Sequence, residues 1–116
     1  MTKEMSEKEA VALAKSFSKV LRDCQEAQQK VNACESEEEC ARASMDLTLC
    51  MAKQWCPLQH SAVVNALQSS SSNEEEYDAR VEKALENVSA CVANTSQRAQ
   101  AAKQQYPKAF QENMKQ

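Results

Sequence analysis

The stretch that decides the fold is Cys24-Gln-Glu-Ala-Gln-Gln-Lys-Val-Asn-Ala-Cys34-Glu-Ser-Glu-Glu-Glu-Cys40-Ala-Arg-Ala-Ser-Met-Asp-Leu-Thr-Leu-Cys50. Nine residues separate Cys24 from Cys34, and nine again separate Cys40 from Cys50. On an α-helix a ten-residue step advances about 1,000°, close to three full turns, and rises about 15 Å. Each cysteine pair therefore faces one side of its helix, three turns apart. Two such helices joined by the short Cys34-to-Cys40 segment pack antiparallel. Their sulfurs then meet as Cys24–Cys50 at the open end and Cys34–Cys40 beside the turn. Six cysteines allow about fifteen pairings, and this geometry selects one for the first four.

The residues around this stretch supply the helices it needs. Ser6 followed by Glu9 reads as a capping box, and Ser36 with Glu39 repeats it. Glu37 to Glu39 put three acids in a first turn, where the helix dipole favours them. Val11, Leu13, Phe17, Val20 or Leu21, Cys24, Val31 and Cys34 recur at helical spacing, which predicts one helix from Ser6 to the turn near Cys34. The second helix carries Cys40, Leu47, Cys50 and Met51 until Pro57 ends or kinks it around Cys56. Leu58 to Leu67 reads as a short further helix, and Ser69 to Asn73 as a loop. Asn73 caps a last helix with Glu74, Glu75 and Glu76 in its first turn and Tyr77, Val81, Leu85, Val88 and Val92 as its apolar stripe. The Gln- and Lys-rich tail after Gln97 leaves Tyr106 and Phe110 exposed unless something covers them, with a partner or disorder as equal accounts.

Composition agrees with this reading. The 116 residues include no Gly and two Pro, whereas a sheet protein of this size needs Gly-bearing turns. The fold class is all-α: a disulfide-stapled antiparallel helical hairpin with an additional C-terminal helix. Four regions follow: residues 1–23 as the N-terminal part of the first helix, 24–57 as the hairpin, 58–73 as a short helix and Ser-rich loop, and 74–116 as a C-terminal helix and polar tail. Five large aromatics and an Ala-heavy apolar fraction make a thin core, which calls for staples or a partner surface. Cys56 and Cys91 lie on either side of the serine loop. Two readings of them stay open, a third bridge and a pair of buried free thiols.

Net charge is −3 with both signs mixed along the chain and no basic stripe is expected, which argues against nucleic acid. No stretch approaches the roughly 18 apolar residues of a membrane span. Met1 to Glu9 lacks the apolar run of a secretory signal and is too acidic for a mitochondrial presequence.

The doubled Cys-x9-Cys spacing resembles the coiled-coil-helix-coiled-coil-helix (CHCH) family of twin Cys-x9-Cys proteins, over residues 24 to 50 and their flanks. The resemblance implies a protein of the mitochondrial intermembrane space, imported reduced and oxidised by the disulfide relay there. By the same resemblance, Phe17, Val20 and Leu21 form an apolar face on which the oxidase docks; a hydrophobic seam against the second helix explains them equally well. The compartment also follows without the family, because disulfides need an oxidising space and no secretory signal is visible. The sequons Asn87-Val88-Ser89 and Asn94-Thr95-Ser96 point the other way and read as chance matches. A different class altogether would be a secreted six-cysteine helical protein that binds lipid, which an upstream signal sequence would favour.

No catalytic site is expected. There is one His, no Gly-rich phosphate loop, no nucleophile–base constellation and no Cys-x-x-Cys redox motif. Structural zinc wants Cys pairs two to four residues apart, and the lone His60 lies outside the pattern, so no metal and no cofactor is expected. Copper delivery in this family depends on an adjacent Cys-Cys pair, and here Asp23 precedes Cys24. Met45 and Met51 with Cys50 could bind a soft ion, although helix packing explains them better. The expected function is a non-catalytic accessory subunit of a mitochondrial inner-membrane complex, such as one of the respiratory chain, on its intermembrane-space side. The alternative is an assembly factor or chaperone for such a complex. The expected partners are the protein subunits of that complex, together with the disulfide relay during import.

Overall fold

Six helices account for nearly all of the structure, a computed structural model that describes residues 5–69 and 73–114. They are α1 (Glu7–Asp23), α2 (Gln25–Ala33), α3 (Glu37–Trp55), α4 (Pro57–Gln68), α5 (Glu74–Gln105) and α6 (Pro107–Met114). Ser70 to Ser72 of the expected serine loop and Met1 to Glu4 of the N-terminus lie outside the described residues.

The local signals place the helix starts. Ser6 Oγ accepts the Glu9 amide at 3.2 Å, and Ser36 Oγ accepts the Glu39 amide at 3.1 Å. Glu39 reaches back to the Glu35 amide at 3.3 Å, completing a capping box shifted by one residue. Asn73 Oδ1 accepts from the Glu75 and Glu76 amides at 3.0 and 3.4 Å. Pro57 and Pro107 each occupy the first position of a helix, where a missing amide costs nothing. The residues before them, Cys56 and Tyr106, leave the helical region in almost the same conformation, at φ −136°, ψ 59° and φ −134°, ψ 63°. No described residue has a positive φ, which is how a chain without Gly makes its turns.

The 32-residue α5 is the spine, about 48 Å long at 1.5 Å per residue. Two separate cores sit along it. Ala84, Val88 and Val92 of its first half pack with Ala52 and Cys56 of α3 and with Val63 and Ala66 of α4. Ala99 and Ala102 of its second half pack with Ala10 and Ala14 of α1 and with Phe110 of α6. The largest fully buried side chains are only Val20, Val63, Val88 and Cys56, so the cores are as thin as the composition implies. The stapled hairpin α2–α3 sits beside them. Helix α2 meets only α3 and α1 and contributes no buried residue.

Two expectations need correction. The first helix is not continuous to Cys34. It breaks at Cys24 (φ −107°, ψ 16°), although the Cys24 amide still bonds to the Val20 carbonyl at 2.8 Å. The break lets α1 turn its apolar stripe to α5 and α6 while α2 turns its cysteines to α3. The region after Gln97 is not a loose tail either. α5 runs to Gln105, and α6 folds back along α1, burying Phe110 to 5% exposure. Tyr106 Oη donates to the Met5 carbonyl at 2.8 Å, and Ser18 Oγ to the Met114 carbonyl at 3.4 Å.

Trp55 ties the two cores together. Its ring lies 5.9 Å from Phe17, which itself lies 6.1 Å from Phe110, and its Nε1–H donates to Ser16 Oγ at 2.8 Å. Ser16→Ala leaves that half-buried indole N–H without its partner, at an expected cost of about 1 kcal/mol. Urea unfolding followed by Trp55 fluorescence checks this, and an unchanged midpoint would mean that water replaces the hydroxyl freely.

Candidate functional site

The six cysteines are all bridged, as Cys24–Cys50, Cys34–Cys40 and Cys56–Cys91, with Cα–Cα distances of 5.9, 5.2 and 6.3 Å. The first two bonds clamp α2 to α3 at both ends, as the ten-residue step requires. The third resolves the open question about Cys56 and Cys91. It joins the end of α3 to the middle of α5, inside the first core, with Cys56 only 1% exposed. Because Met45 lies beside Val81 and Leu85 while Cys56 is bonded to Cys91, α3 and α5 run in the same direction.

Beside the Cys24–Cys50 bridge lies an apolar groove of about 550 Å³. Phe17, Val20 and Leu21 of α1 form one wall, and Leu47 and Met51 of α3 the other. Cys24 and the α2 residues Gln25 and Gln28 close one end, and Ser96 of α5 contributes from below. The groove exists because α1 turns away at Cys24, so the Phe17–Leu21 segment does not sit flush on α3. The three side chains differ in availability. Val20 is buried, Phe17 is half-buried in its ring contacts, and Leu21 is 48% exposed. Phe17 and Val20 are thus taken up by packing, while Leu21 remains accessible.

Cys50 is committed to its bridge, and Met45 and Met51 line different grooves, so the three sulfurs do not converge on one site. Among the described residues, no cluster of three His, Cys, Asp or Glu side chains could hold a metal ion. No described helix is long and apolar enough to cross a membrane. Both sequons fall within the continuous helix α5.

Sequence reasoning missed the distribution of charge. Lys8, Lys15, Lys19 and Arg22 recur at i, i+7, i+11 and i+14, so they share one edge of α1, and all four are exposed. A basic ridge therefore does exist, contrary to expectation; its spacing was legible once the helix was placed. Asp78, Glu82 and Glu86 form a counterpart on α5 and line a second groove with Met45, Val81 and Leu85. The one ion pair among the described residues is Glu38–Arg42 at 3.6 Å, within α3.

No protein-family model, no curated protein and no solved structure matches this chain.

Proposed function

We propose that this chain is a CHCH protein of the mitochondrial intermembrane space and acts as a non-catalytic accessory subunit of a respiratory-chain complex. The observation that carries the reading is the α2–α3 hairpin, clamped by two disulfides and presenting an apolar groove at its open end. Such a hairpin holds its shape without a large core, which suits a rigid surface for other proteins. The surplus of surface agrees. The accessible area is 8398 Å², against about 6,300 Å² for a compact monomer of this mass. Leu58, 81% exposed, and Leu67, 51% exposed, add apolar contacts on α4 that suit permanent cover better than brief encounters.

During import, Phe17, Val20 and Leu21 serve as the face on which the oxidase docks. Val20 and Phe17 are withdrawn on folding, so docking precedes oxidation and release follows it. Leu21 then passes to the groove and to the permanent partner.

Leu21→Asp tests the groove without touching the buried seam. A substitution at so exposed a position is expected to change stability by about 0.5 kcal/mol or less. It is expected to release the protein from the mature inner-membrane complex on native gels of mitochondria. Co-migration of the unmodified protein only with immature intermediates would replace the subunit with an assembly factor, and migration alone, or outside mitochondria, would end the reading.

A further inference from the structure

We propose that the groove between α3 and the first half of α5 is a second docking site, and that its occupant is a basic amphipathic helix from another protein. Its floor is apolar: Met45 from α3 with Val81 and Leu85 from α5, all half-buried, in an opening of about 530 Å³. Its outer wall is a row of carboxylates, Asp78, Glu82 and Glu86, all exposed. At four-residue spacing they stand about 6 Å apart along the helix.

Folding alone does not account for this row. Like charges at i, i+4 destabilise a helix by a few tenths of a kcal/mol per pair, and the row contains two such pairs. The helix dipole explains Glu74 to Glu76 in the first turn, but its effect fades before Glu82 and Glu86. Among the described residues no Lys or Arg forms an ion pair with the three carboxylates, the one such pair being Glu38–Arg42. Of the cations of α5 nearest in sequence, Arg80 and Lys83 both line the groove beside α4; Lys83 stands three residues from Glu86 but forms no ion pair with it. A partner helix with Lys or Arg at the same spacing along an apolar stripe would answer both features at once.

A second copy of this chain does not fit. Its one basic edge, Lys8 to Arg22 on α1, lies opposite Leu13, Phe17 and Val20, which are turned into the protein's own packing. It would bring charge without the large apolar side chains that the floor requires. The inference builds on the reading of the chain as a binding scaffold but does not depend on its compartment or its complex.

The test uses the oxidised full chain and two labelled sixteen-residue helical peptides with the same leucine stripe. One carries Lys on its flanks and the other Glu, and binding is read by fluorescence anisotropy near 0.1 M salt. The Lys peptide is expected to bind and the Glu peptide not. The triple variant D78K/E82K/E86K is expected to weaken the Lys peptide tenfold or more and to admit the Glu peptide. A control with the same change in net charge elsewhere, E26K/E37K/E112K, is expected to stay within twofold of the parent, as is L21D. Equal binding of both peptides, no binding of either, or an equal loss in both triple variants would overturn the site. None of these results bears on co-migration with an inner-membrane complex, so the two proposals fail separately.

Discussion

Excess reductant is expected to unfold this protein in two stages, with the Cys34–Cys40 bond opening first and the helix signal collapsing only after Cys56–Cys91 is lost. The order follows from access. Cys34 and Cys40 are both half-buried at the hairpin tip, whereas Cys56 is sealed in the first core, and a thiolate must reach a sulfur to attack it. Opening the tip frees α2, which has nine residues and buries none of them. Isolated helices shorter than about 12–15 residues are marginal in water, so α2 unravels while both cores stand.

The second stage is larger. The loop-entropy relation assigns about 2 kcal/mol to the six-residue span of Cys34–Cys40, about 3.5 to the 26-residue span of Cys24–Cys50, and about 4 to the 35-residue span of Cys56–Cys91. A typical small domain has only about 5–15 kcal/mol in total, and cores whose largest sealed side chains are Val and Cys belong at the low end. Replacing each pair by Ala should therefore lower the melting temperature in that order, least for Cys34/Cys40 and most for Cys56/Cys91. Circular dichroism with quenched-flow mass mapping of the free thiols follows both stages. If Cys56–Cys91 opens first, or if full helicity survives complete reduction, the staples are not what holds the fold.

Phe110→Ala is expected to cost about 3–5 kcal/mol, the largest effect of any single apolar truncation in the second core. Its other sealed members are Ala10, Ala14, Ala99 and Ala102, which offer little side chain to bury, with Met5, Leu13, Phe17, Tyr106 and Met114 packed partly buried around them. No disulfide joins α6 to any other helix. Its hold on α1 comes from Phe110 and Met114 in the shared core and from the Ser18–Met114 hydrogen bond, with the Tyr106–Met5 bond tying the segments just before the two helices. Losing the ring also removes a neighbour of Phe17, so Trp55 emission should shift even before unfolding. Phe110→Leu, which keeps most of the apolar volume, should recover about half of the loss. Urea unfolding of the oxidised variants gives the numbers. A Phe110→Ala cost below 1 kcal/mol would show that α6 is not docked on α1 in solution.

The pairing of the first four cysteines and the helix starts were legible because both are local or periodic. A ten-residue step gives nearly whole turns wherever the helix lies, and Ser6, Ser36 and Asn73 bind amides two or three residues away. The break at Tyr106 was equally local, since Pro107 follows it just as Pro57 follows Cys56, but only the first of these proline signals was read. The absence of Gly meant helices throughout, and no described residue needs the left-handed conformation that Gly supplies.

The tertiary structure alone decided the rest, because it depends on contacts between residues far apart in the chain. Ala10 and Ala14 look like surface alanines until Ala99 and Ala102 close on them, and Phe110 looks exposed until α6 lies on α1 about ninety residues away in sequence. The break at Cys24 carries no proline or glycine signal. It arises because α1 and α2 must face different neighbours, α1 turning to α5 and α6 while α2 stays stapled to α3. That turn opens the Phe17–Leu21 groove, and the parallel course of α3 and α5 sets Met45 beside the acidic row. Spacing along one helix determines which side chains share a face; what that face meets is settled only when the helices pack.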